Sequence, residues 1–88
     1  MIRGYRYRYV LIRDIFGREN LEELIKSEFL RLFGEYNLYR SRMRFYDHPR
    51  GLAIRVTLET LDMLLSVIAS IGGVVERISG SIKKIEEI

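Results

Sequence analysis

The segment Ser41-Arg42-Met43-Arg44-Phe45-Tyr46-Asp47-His48-Pro49-Arg50-Gly51-Leu52-Ala53-Ile54-Arg55-Val56-Thr57 decides the fold. From Ser41 to Asp47, Met43 and Phe45 oppose Arg42, Arg44 and Tyr46, the two-residue period of a strand. His48-Pro49-Arg50-Gly51 combines turn-forming residues, and His48 reads as an exposed member of that turn. Leu52 to Thr57 then returns, with Leu52, Ile54 and Val56 on one face and Ala53, Arg55 and Thr57 on the other. This is a hairpin, so Arg42, Arg44 and Arg55 are expected to face away from the core.

Outward from the hairpin, each flank reads as a helix and then a strand. On the N-terminal side Leu21, Leu24, Ile25, Phe29, Leu32 and Phe33 recur at helical spacing, after a start at Gly17-Arg18-Glu19 or Asn20 and before a stop at Gly34. Before them, Tyr5-Arg6-Tyr7-Arg8-Tyr9-Val10-Leu11-Ile12-Arg13 has the alternation and aromatic bias of a strand. Its arginines cannot be core, which turns Tyr5, Tyr7 and Tyr9 toward the helices or the sheet edge. On the C-terminal side a helix starts at Thr57 or Glu59, carries Leu61, Leu64, Leu65, Ile68 and Ala69, and stops at Gly72-Gly73. Val74 to Ile78 is a fourth strand, and residues 79–88 are a short charged tail of unassigned structure.

The order βαββαβ in 88 residues predicts one domain over residues 1–88. Its class is α+β, a two-layer split βαβ sandwich of the ferredoxin-like or RRM-like kind. The antiparallel sheet carries two helices on one face and leaves the other open, since right-handed crossovers place both helices on one side. The first and third strands become central neighbours, which brings two distant Arg-rich segments together.

Those segments carry the charge. The net charge is only +3, but twelve of the fifteen basic residues are Arg, four of them in residues 3–13 and five in residues 40–55. The acids concentrate in the helical stretches. Guanidinium forks bind phosphate in a bidentate way, and a basic sheet beside acidic helices is the footprint of a phosphate-bearing partner. Surface charge for solubility and protection of sheet edges is the alternative use. The stretch Arg50-Gly51-Leu52-Ala53-Ile54-Arg55-Val56-Thr57 matches the RNA-recognition signature weakly, with Leu52, Ile54 and Thr57 where stacking aromatics belong. RNA contact is therefore expected through phosphates and shape, with little base readout.

Catalytic residues are not expected. No cysteine is present and one His cannot assemble a metal cluster, so no metal, cofactor or disulfide is expected. Glu22/Glu23 and Glu86/Glu87 read as solvated charge. No apolar run of about 20 residues is present and the N-terminus lacks a signal pattern, so the expected setting is cytoplasmic, without a membrane.

Four stretches together resemble one family: Arg8-Tyr9-Val10-Leu11-Ile12-Arg13, Leu32-Phe33-Gly34-Glu35, Gly51-Leu52-Ala53-Ile54-Arg55-Val56, and Ile78-Ser79-Gly80-Ser81-Ile82-Lys83-Lys84. They are similar, in the same order, to blocks of archaeal ribonuclease P protein component 2, shared with a eukaryotic subunit of ribonucleases P and MRP. The last block is the most specific. Val56 departs from the family, where Cys is common, and longer relatives continue beyond Lys84. The resemblance implies a subunit without its own active site, assisting an RNA catalyst that removes the 5′ leader of precursor tRNA. It implies ribonuclease P RNA and protein component 3 as partners and leaves self-association open. Arg6, Arg8, Arg42, Arg44 and Arg55, with Lys83 and Lys84, are the RNA-binding candidates. Two other classes remain: a protein assembly or regulatory module of the same fold, and an acylphosphatase-like hydrolase, whose anion-cradling loop Asp14-Ile15-Phe16-Gly17-Arg18 does not resemble.

Overall fold

The computed structural model describes residues 6–13 and 18–86, with side chains from Asn20 onward in the first helix. Tyr5 and the segment 14–17 lie outside the described residues. Strands β1 (Tyr7–Arg13), β2 (Arg44–His48), β3 (Gly51–Thr57) and β4 (Val75–Ser79) form one antiparallel sheet in the order β2-β3-β1-β4. Helices α1 (Arg18–Ser41) and α2 (Leu61–Ser70) connect them, α2 following a single 3-10 turn at Leu58–Thr60. The split βαβ sandwich is thus present, with β1 and β3 paired at its centre from Tyr7↔Thr57 to Arg13↔Gly51.

The main core lies between one sheet face and the two helices. Val10 and Ile12 of β1 and Leu52, Ile54 and Val56 of β3 meet Leu21, Ile25 and Phe29 of α1 and Leu64, Val67 and Ile68 of α2. Each is 1% exposed or less. A side chain of this kind contributes about 1.5–3 kcal/mol by leaving water. Leu24 and Leu32, expected inside, are instead about two-fifths exposed, because a helix on one sheet buries only a stripe.

The helix ends differ from the sequence reading at α1 and agree with it at α2. Gly34 does interrupt α1, with φ 85° and ψ 167°, but helix resumes and runs to Ser41. The Phe33 carbonyl accepts a bond from Asn37 Nδ2 at 2.8 Å, which spans the break. β2 consequently starts at Arg44, not Ser41, and Arg42 sits in the connecting turn at φ 48°. At the end of α2, Gly72 N–H donates to the Ala69 carbonyl and Gly73 N–H to Ile68, while Gly72 takes φ 77°. That paired closure is the Schellman stop that the glycine pair predicts.

The second sheet face is not fully open. Residues 79–88 are not a plain tail: α3 (Ile82–Glu86) folds back and buries Ile85 against Leu11 and Ala53, flanked by Tyr9, Tyr46 and Ile82. His48 fastens it. The imidazole is 5% exposed, correcting its assignment to an exposed turn. Its Nε2 donates to the Ile85 carbonyl at 2.9 Å, and its Nδ1 accepts the Arg50 N–H at 3.0 Å. Both bonds together require the neutral Nε2–H tautomer.

Candidate nucleic-acid interface

Directly paired residues of a sheet share a face, so the register places the arginines. Arg44 faces Arg55, and Arg55 faces Tyr9, which faces Ser79. This row lies on the face away from α1 and α2, as expected for Arg44 and Arg55. The next row, Tyr46, Ala53, Leu11 and Arg77, is the one α3 crosses. Lys83 and Lys84, exposed on α3, therefore stand on the same side of the sheet as Arg44 and Arg55.

Tyr7 and Tyr9, expected toward the helices or the sheet edge, stand at neither place, since β1 is a central strand. Val10 and Ile12 point to the helices, so Tyr7 and Tyr9 face the other way, together with Arg55. Arg8, paired with Val56, falls on the helix side beyond the main packing. It is half-buried, and its Nη1 donates to the Tyr7 carbonyl at 2.8 Å. Arg6 is exposed ahead of β1, where its carbonyl accepts the Leu58 N–H. The structure thus places Arg44, Arg55, Lys83 and Lys84 on one side of the sheet, and Arg8 on the other.

Arg55 is more than a free fork. Its guanidinium lies 4.2 Å from the centre of the Tyr7 ring, and Nη2 donates to the Arg42 carbonyl at 2.8 Å. Nε is buried without a hydrogen-bond partner. The residue ties β1, β3 and the α1–β2 turn together, and Arg42 joins the site through this carbonyl contact. Four other arginines of the described residues have a carboxylate within ion-pair distance: Arg13 and Arg50 share Glu76 at 3.4 and 3.9 Å, Arg40 pairs with Glu59 at 2.8 Å, and Arg31 with Glu28 at 2.7 Å. Among the described residues, Arg44 and Arg77 have no carboxylate within ion-pair distance.

Tyr46 shares the outward face of Arg44, as its alternation implies, whereas Arg77, Tyr7 and Tyr9 on this face were not legible in the sequence. Tyr9 and Tyr46 stand with ring centres 6.5 Å apart, half-buried beside α3. The weak RNA-recognition match on β3 also falls out of phase, because Leu52 and Ile54 point into the core. Aromatic side chains reach the helix-free face from β1 and β2 instead. Strand pairing alone reveals this, since tyrosine and arginine both tolerate either environment. No helix among the described residues is long and apolar enough to cross a membrane. No protein-family model matches the chain, and neither does any curated protein.

Proposed function

We propose that this chain is an RNA-binding, non-catalytic subunit of a cytoplasmic ribonucleoprotein of the ribonuclease P kind, assisting the RNA-catalysed removal of the 5′ leader from precursor tRNA. The observation that carries the RNA contact is the pairing of Arg44 with Arg55 on the helix-free face, with exposed Lys83 and Lys84 on the helix packed across that face. A phosphate backbone needs such a row of unneutralised cations, and it needs little else. The ribonuclease P assignment rests on the four sequence blocks that resemble component 2. In that reading ribonuclease P RNA is the ligand and protein component 3 the protein partner.

The test is binding of a ribonuclease P RNA at several salt concentrations, comparing the intact chain with Arg44→Ala/Lys83→Ala/Lys84→Ala. Arg55 is left in place because it also holds the α1–β2 turn. Affinity of the intact chain falls steeply with salt, and the triple variant lowers the log–log slope by up to about 0.9 for each phosphate left without its cation. Binding that ignores both salt and substitution would sink the reading.

A second reading, a protein assembly module, has its own support. β4 is an edge strand, and Val75 and Ile78 along it, with Val74 just before it, are 37–43% exposed. Apolar edge strands invite a partner strand. Capture of component 3, or a dimer in sedimentation, with no RNA affinity would favour it.

A further inference from the structure

The segment of α1 beyond Gly34 builds a feature that the RNA-facing row does not use. Tyr36 and Tyr39, one helical turn apart, are 73% and 77% exposed. Together with Arg40, Arg42, Thr57 and Glu59 they line a hollow of about 230 Å³. That is smaller than the roughly 300–1,000 Å³ of sites that enclose drug-sized ligands, and it suits one flat ring. Its walls are held in place. Arg40 donates to Asn37 Oδ1 at 3.1 Å and to Glu59 Oε2 at 2.8 Å, with its guanidinium 5.7 Å from the Tyr36 ring centre. Thr57 Oγ1 lies 3.2 Å from the Arg40 carbonyl, to which it donates, and 2.8 Å from Thr60 Oγ1.

The hollow is continuous with the arginine row. Thr57 is the next residue of β3 after Arg55 on the same face, and the Arg42 carbonyl accepts the bond from Arg55. A polynucleotide lying over Arg44 and Arg55 would pass its mouth. Exposed tyrosine rings beside guanidinium groups match a base with its phosphate, the pairing used to hold unpaired nucleotides. We propose that the hollow binds one unpaired nucleotide of a structured RNA, its base stacked on Tyr36 or Tyr39 and its phosphate beside Arg42. The assignment rests on the RNA-binding reading above, and it adds a single-nucleotide site to the backbone contact.

The experiment uses two RNA hairpins with the same stem, one fully paired and one carrying a single bulged adenosine. Affinities are measured for the intact chain, Tyr36→Ala/Tyr39→Ala and Tyr36→Phe/Tyr39→Phe, and tyrosine-ring NMR signals are followed in the intact chain. The intact chain prefers the bulged hairpin about tenfold, within the range for one stacked base. Only the bulged hairpin shifts the Tyr36 and Tyr39 ring signals. The alanine variant loses the preference and the phenylalanine variant keeps it, while all three bind the paired hairpin with the same salt slope. A chain that binds the paired hairpin but shows no preference, or an alanine variant that retains it, overturns the nucleotide site alone and hands the tyrosines to a protein partner. Failure to bind either hairpin overturns the RNA-binding reading, and the hollow's assignment with it.

Discussion

Glu28 shows how much a single side chain can link. Its carboxylate takes both Arg31 Nε at 2.9 Å and Arg31 Nη2 at 2.7 Å, and it accepts Ser70 Oγ at 2.8 Å. One acid thus joins α1 to the end of α2. The hydrogen bonds from Arg31, and then that from Ser70, lower its pKa from the ordinary 4.5 to about 2. A depressed carboxylate stabilises the fold above its unfolded value and loses that contribution as pH falls through the folded one. The stability difference between the intact chain and Glu28→Gln should therefore be constant above about pH 5.5 and shrink between 4.5 and 2. Denaturant titrations at stepped pH measure it, and a difference that grows on acidification would contradict the assignment.

At the scale of elements, the break in α1 positions the second half of the helix and with it the tyrosine hollow. Gly34 takes φ 85° and ψ 167°, a region open in practice only to glycine. A Cβ there would meet nothing within 4 Å, so the conformation is demanded by the backbone and not by crowding. Gly34→Ala should cost about 1–3 kcal/mol, all of it backbone strain. For a domain of this size each kcal/mol lowers the melting temperature by roughly 4–8 °C, readable by calorimetry. A melting temperature equal to that of the parent would mean that the break tolerates an ordinary residue. α3 obeys a different logic: five residues are too few to be helical alone, and Ile85 and His48 hold them to the sheet.

For the whole molecule, the question is whether charge on one face is felt on the other. The shortest dimension is 18 Å, well beyond the Debye length of about 10 Å at 0.1 M salt. The acids of α1 should therefore have little influence on a polyanion bound over Arg44 and Arg55. Glu22→Gln/Glu23→Gln, on the helix layer, should leave RNA affinity within about twofold at 0.15 M salt, where screening is stronger still. The single change Arg44→Ala should weaken it more than that. Equal effects from the two layers would show that net charge, and not the arginine row, governs binding.

Much of this arrangement was legible in the chain. The order βαββαβ follows from alternating and helical periods, and the outward phase of Arg44 and Arg55 follows because Phe45, Leu52, Ile54 and Val56 leave one inward choice. The phase of β1 was not legible. Val10, Leu11 and Ile12 are consecutive apolar residues, all fully buried, because β1 is covered on both sides, by the main helices and by α3. A strand buried twice carries no alternation, and the Tyr-Arg repeat before it fits either phase. The same long-range packing decided α3 and His48. Five residues are too short for a periodic signal, and the imidazole's partner Ile85 lies 37 residues away in sequence. The sequence by itself determined the four strands, the two long helices and the side on which Arg44 and Arg55 stand, because these depend on local periodicity. Only the tertiary structure decided that Tyr7 and Tyr9 join them and what lies over the second face, because those depend on contacts between segments far apart in the chain.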